Sequence, residues 1–145
     1  MPVTDSLQRF VDAQDPVFDQ VMSELHAGRK TSHWIWFVFP QLKGLGRSST
    51  AEHYGLADAA EARAYLAHER LGPRLVQAVE AMLQHTDKSA LHILGSPDDL
   101  KFRSCLTLFA HVAPAPALFE RALRQFYQGE PDPRTLALLS QASIS

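Results

Sequence analysis

The sequence predicts an all-α fold: an irregular bundle of about eight short helices in a single domain. Three observations carry that expectation. Apolar residues recur at helical spacing along most of the chain, helix-opening and helix-closing residues punctuate it from end to end, and no useful length alternates with period two. No Asn-Gly or Asp-Gly hairpin turn is present either.

The elements follow in order. Asp5 with Gln8 resembles a capping box, and Leu7, Phe10 and Val11 share the face behind it. Asp15 then serves as a cap with Pro16 at the first helical position, and Gly28 stops that helix. Val17, Phe18, Val21, Met22 and Leu25 form its apolar stripe. From Arg29 to Ser49 the pattern changes. The run His33 to Phe39 is apolar on every side, and Pro40, Gly44 and Gly46 forbid a long regular element after it. Periodicity alone does not separate strand from helix there. A short helix is favoured, because a lone strand leaves its backbone groups unpaired.

Another helix is expected to start near Thr50. Asp58 and Glu61 form a D-x-x-E box opening a helix with Ala62, Tyr65 and Leu66 inward. Gly72 and Pro73 break it and begin the next, which carries Leu75, Val76, Val79, Met82 and Leu83. A short element from Lys88 to Leu94 ends at Gly95. Ser96-Pro97-Asp98-Asp99 reads as cap, proline at the first position, and two acids at the positive end of the helix dipole. Leu100, Phe102, Leu106 and Phe109 follow. Pro114 and Pro116 precede a helix from Ala117 to Tyr127 closed by Gly129, and Asp132-Pro133 opens a last one through Leu139.

Composition narrows the function classes. The 145 residues are 46% apolar and 21% charged, which suits a globular chain with a real core. The longest apolar run, Trp34 to Phe39, is far short of the roughly 20 residues of a membrane helix. Residues Met1 to Asp5 lack the basic start and apolar middle of a secretory signal. Cys105 is the single cysteine, so no intramolecular disulfide forms; this suits a reducing cytoplasmic setting, with Cys105 as a small buried hydrophobe. A net charge of -2 is not the footprint of a protein held to a nucleic-acid polymer by phosphate neutralisation. The expected partner is therefore a small molecule, with no membrane and no nucleic acid. The seven histidines show no ligand spacing, so neither a metal nor another cofactor is expected.

Three segments stand above that background. In Ser32-His33-Trp34-Ile35-Trp36 and Phe39-Pro40-Gln41, aromatic rings beside a polar amide suit the stacking of a planar ring. A plain core cluster explains Trp36 and Phe37 at least as well, whereas Trp34 and Gln41 are the better site candidates. In Gly44 to Tyr54, glycines let backbone amides approach an anion, and Arg47 and the Ser48, Ser49 and Thr50 hydroxyls add donors. An ordinary loop and cap accounts for the same residues. Third, Lys101 lies one turn into a helix whose other early residues are acidic, and a salt bridge to Asp98 explains it simply.

At these segments the chain resembles a known family. His33-Trp34-x-Trp36, Phe39-Pro40-Gln41, Gly44-Leu45-Gly46 and Glu61-Ala62-x-x-Tyr65-Leu66-x-His68 resemble the bacterial family catalogued as domain of unknown function 1810. So do Leu71-Gly72-x-Arg74-Leu75, Ile93 to Lys101, Thr107-Leu108-Phe109, Phe126, Gly129, Asp132 and Thr135-Leu136. That resemblance implies an all-α fold and brings no activity. More distantly, Thr50-Ala51-Glu52-His53-Tyr54 and Lys101-Phe102 are similar to segments of the NADAR family, helical proteins linked to ADP-ribose and to cleavage of N-glycosidic bonds.

The second likeness implies a catalytic pair, Glu52 and Lys101, hydrolysing an N-glycosidic bond in an ADP-ribose-like nucleotide. Glu52 would stabilise positive charge developing at the anomeric carbon or orient the attacking water. Lys101 would neutralise a phosphate or attack an opened sugar as an amine. Trp34 would stack on the base, Gln41 would read its edge, and Ser48 with Arg74 would hold phosphate or ribose. His33, Gly46, Tyr54 and Asp98 complete the expected substrate-binding set. A non-catalytic nucleotide-binding module and a protein-interaction module presenting Trp34, Trp36 and Phe37 remain the alternatives.

Overall fold

The computed structural model describes residues 3–144. Ten helices follow one another: α1 (Val3–Gln14), α2 (Phe18–Ala27), α3 (Ile35–Val38), α4 (Ser49–Tyr54), α5 (Ala59–Ala67), α6 (Leu71–Leu83), α7 (Ala90–Leu94), α8 (Asp98–Val112), α9 (Ala117–Tyr127) and α10 (Pro133–Ile144). No strand is present among the described residues. A single parallel bridge joins Leu42 and Leu56, through Lys43 N–H to Leu56 O (2.8 Å) and Leu56 N–H to Gln41 O (3.0 Å). The all-α expectation holds, with more and shorter pieces than eight.

Most punctuation acts as expected. Gly28 closes α2 in the left-handed region at φ 72°, its N–H bonded to Leu25 O. Asp58 accepts the Glu61 N–H at 2.9 Å, and Ser48 and Ser89 cap α4 and α7 in the same way. Asp132 Oδ2 accepts the Thr135 N–H at 2.9 Å and so caps α10, with Pro133 at the first position.

Four sites depart from expectation. The first helix begins at Val3, so Asp5 lies inside it rather than capping it, and Gln8 donates forward to Asp12 (2.9 Å). The second begins at Phe18 and not at Pro16. Asp15 N–H still bonds to Val11 O, so residues 15–17 extend the turn that ends α1, and the Asp15 carboxylate is occupied by two arginines. Pro97 stands at the cap of α8, one place earlier than expected, and no side chain caps that helix. The last helix runs past Leu139 to Ile144.

The core is one contiguous cluster that takes in most of the positions predicted to be apolar, whereas Leu100, expected beside Phe102, is 57% exposed. Helix α8 lies at its centre, packed against α3, α5, α7, α9 and α10. Phe102, Cys105, Leu106, Leu108 and Phe109 are all fully buried on it. Burial also pushes the Cys105 thiol well above its ordinary range, so it is an inert packing residue. No helix among the described residues is long and apolar enough to cross a membrane.

Candidate functional site

The aromatic segment is positioned from both ends. At its start, Glu24 of α2 accepts hydrogen bonds from Thr31 N–H (2.8 Å), Ser32 N–H (3.1 Å), the Ser32 hydroxyl (2.6 Å) and the Trp34 indole N–H (2.9 Å). Gln20 adds a fifth donor at 2.9 Å. Burial pushes the Glu24 carboxyl up, but the bonds from Ser32, Gln20, Thr31 and Trp34 outweigh it and hold the group far below the usual carboxylate range. At its end, Gln14 of α1 and Tyr65 of α5 both donate to Phe37 O, at 2.5 and 3.4 Å. The short helix α3 is thus clamped by three others.

That clamp settles the two indoles. Trp34 is 1% exposed, with its N–H on Glu24 and Lys30 Nζ 5.2 Å from its ring centroid. Its expected role as a stacking platform is therefore corrected: no face of the ring is open to a ligand. Trp36 is the half-exposed indole, and Lys101 Nζ lies 5.1 Å from its centroid. Residues two apart on a helix point to different sides, so burying one exposes the other.

Lys101 is held by that ring and by Asp98. Asp98 serves two lysines, with Lys30 Nζ at 2.7 Å and Lys101 Nζ at 3.7 Å. Lys30 is nearly enclosed while Lys101 is about one-fifth exposed. Lys30 alone neutralises Asp98, so the Lys101 charge is available to a ligand at little cost.

A cleft of about 280 Å³ opens beside this amine, where the 41–46 loop meets the starts of α8 and α10. Gln41, Gly46 and Lys101 line it together with Leu45, Leu100 and Arg134. The Leu42–Leu56 bridge fixes the loop, and Gly46 is required within it: a Cβ there would lie 2.5 Å from Ala51 Cβ. Arg134 Nη2 donates to Leu45 O at 3.3 Å and ties α10 across the mouth. Beside this cleft lies a small hollow of about 10 Å³ lined by Gln41 and Lys101 and also by Trp36, Phe39 and Tyr54. It is near the smallest space that admits one water molecule.

The other expected site residues lie elsewhere. Glu52 is exposed and lines a separate open hollow of about 530 Å³ with Ser6, Arg9, Lys43, His53 and Glu61. Lys101 lines neither wall of it, so carboxylate and amine do not face one cavity. Arg74 is engaged by Asp15 (2.9 Å) and stacks over Phe18 at 5.0 Å, bracing α6 against the turn between α1 and α2. It does not line the cleft. Ser48 is exposed and caps α4, accepting the Ala51 N–H at 3.1 Å. His33 is exposed and lines none of these cavities. Tyr54 packs its ring on Phe37 (5.4 Å) and His53 (4.6 Å) at the small hollow beside the cleft.

Sequence reasoning missed Lys30, Leu45 and Arg134. Leu45 lies in the Gly44-Leu45-Gly46 segment without being singled out there, and Lys30 and Arg134 lie in no motif. Lys30 follows a helix-closing glycine and Arg134 follows a helix-opening proline, where a surface cation is unremarkable. Among the described residues no three His, Cys, Asp or Glu side chains gather as a metal set.

Comparison with known proteins places this geometry in a family. No curated protein matches the chain significantly. Among solved structures it is similar to the conserved hypothetical protein Rv1873 from Mycobacterium tuberculosis, with 50% identity and a TM-score of 0.91 over 92% of this chain and 96% of that one. The family described as protein of unknown function (DUF1810) matches residues 4–139, and the chain belongs to it.

Proposed function

We propose that the chain binds an ADP-ribose-like nucleotide in the cleft between the 41–46 loop, α8 and α10. The observation that carries this is the pairing of Lys101 and Arg134 with an apolar wall of Leu45 and Leu100 around one 280 Å³ space. Two cations suit a diphosphate, and the leucines suit the face of a base or ribose. Leu100 is 57% exposed and lies at this cleft, where its apolar surface is open to a ligand. Asp132 offsets one charge, but its carboxylate is committed to the Thr135 N–H and hydroxyl.

Binding is favoured over hydrolysis of an N-glycosidic bond. Hydrolysis by Glu52 and Lys101 asks for a carboxylate beside the amine, and Glu52 lines the other hollow. Thermal unfolding in the presence of ADP-ribose tests the reading. Ligand at 100 times its dissociation constant adds about 2.7 kcal/mol of stability. We expect that gain in wild type and in Glu52→Gln, and its loss in Lys101→Ala, with no turnover of ADP-ribosylated nucleotide. No stabilisation of wild type by ADP-ribose or AMP would remove the proposal.

A further inference from the structure

The small hollow beside the cleft has a feature that packing does not explain. Trp36 helps to line it, and the Trp36 indole N–H is buried with no hydrogen-bond partner among the described residues. A buried donor left unpaired costs about 1–3 kcal/mol, and folded chains rarely keep one without a use. The other indole shows the contrast, since the Trp34 N–H is matched to Glu24 at 2.9 Å. Gln41, Tyr54 and Lys101 line the same small space. The Trp36 indole and the Lys101 ammonium only donate, and the Gln41 amide and the Tyr54 hydroxyl are able to. The hollow is therefore a small socket lined by donor-bearing residues.

Its position gives the socket a purpose. Gln41 and Lys101 line both this hollow and the cleft, so the two spaces meet at these side chains. Because the Trp36 N–H is sealed as the side chains stand, a ligand oxygen must displace the Lys101 side chain, which lies over that ring, to reach it. That shift strands no charge, because Asp98 keeps its shorter ion pair with Lys30 at 2.7 Å.

We infer that the socket is the anchoring subsite for one acceptor oxygen of the ligand, a phosphoryl oxygen, received by the Trp36 indole N–H and the Lys101 ammonium. This rests on the nucleotide-binding reading of the cleft and adds the atom by which the ligand is held. An anionic oxygen satisfies the stranded donor and takes up the cation in one contact. The remainder of the ligand then lies along Leu45 and Leu100 in the cleft.

The test is a titration of 15N-labelled protein with ADP-ribose, AMP and inorganic pyrophosphate, following the two indole N–H resonances. The Trp36 resonance is expected to move downfield as its proton becomes bonded, while that of Trp34 stays in place. Trp36→Phe, which keeps a ring under Lys101 but removes the donor, should weaken binding about tenfold. Binding that depends on Lys101 but leaves the Trp36 resonance unmoved overturns the subsite and spares the nucleotide reading. Absence of binding by all three probes overturns both. Should Trp36→Phe not fold, the wild-type resonances still decide between these results.

Discussion

Glu24 is the residue on which the aromatic segment depends. It is buried, and its charge is stabilised by five donors from α2 and the following loop. Glu24→Gln keeps the shape but turns an acceptor-only group into one that must also donate among donors. We expect it to cost about 3 kcal/mol, read as a fall in denaturant midpoint with unchanged slope. The pH dependence has a definite sign. A carboxyl whose folded pKa lies below its ordinary 4.5 contributes stability that is complete above that value. That contribution declines as pH falls below 4.5 toward the lower folded value, so wild type should lose stability there faster than Glu24→Gln. Glu61 acts in the same direction: burial raises its carboxyl, and bonds from Ser6, Ala57 and Arg9 bring it below the ordinary value. At this scale the sequence was a partial guide. Gln41, Gly46 and Lys101 stand out in the sequence because glycine, amide and amine each look out of place in their local pattern, and the fold brings the three to one cleft. The two tryptophans were assigned the wrong way round, since only the Glu24 contact, ten residues away, decides which indole turns inward.

Among the elements, boundaries written in local chemistry were legible and boundaries set by neighbouring helices were not. Asp58, Gly28 and Asp132 mark helix ends by bonds within four residues, so the sequence shows them. Pro16 does not start α2, because the preceding turn still belongs to α1 and Arg70 and Arg74 hold Asp15 from another helix. Gly72 lies in the first turn of α6 for a reason that propensity does not reveal. A Cβ there would stand 2.0 Å from Leu66 O at the end of α5. Gly72→Ala therefore forces the α5–α6 corner apart, and we expect a loss of about 2 kcal/mol although alanine is the better helix former. An alanine at Gly95, where nothing stands within 4 Å but φ +81° and ψ 171° lie in a region open essentially to glycine, should cost a similar amount, about 2 kcal/mol, from backbone strain alone. Chemical denaturation of the two variants side by side checks both losses.

In the whole molecule, α8 links stability to the candidate site. Its buried face, Phe102 through Phe109, is the middle of the core, and its first turn carries Leu100 and Lys101 to the cleft. The amides of α8 should accordingly exchange only on global unfolding, while those of the 41–46 loop exchange by local opening. Phe102→Ala should destabilise by about 4 kcal/mol, consistent with a fully buried ring that touches Phe39 at 4.6 Å. The fold class was legible because its signals repeat in every segment. The cleft was not, because it is made where residues 41–46, 97–104 and 132–134 meet, and no spacing in the chain encodes that meeting. Backbone amide shifts on titration with ADP-ribose test the account most directly. The account predicts perturbations confined to the 41–46 loop, the first turns of α8 and the start of α10. Shifts gathered instead around Arg9, Lys43, Glu52 and Glu61, or none at all, would contradict it.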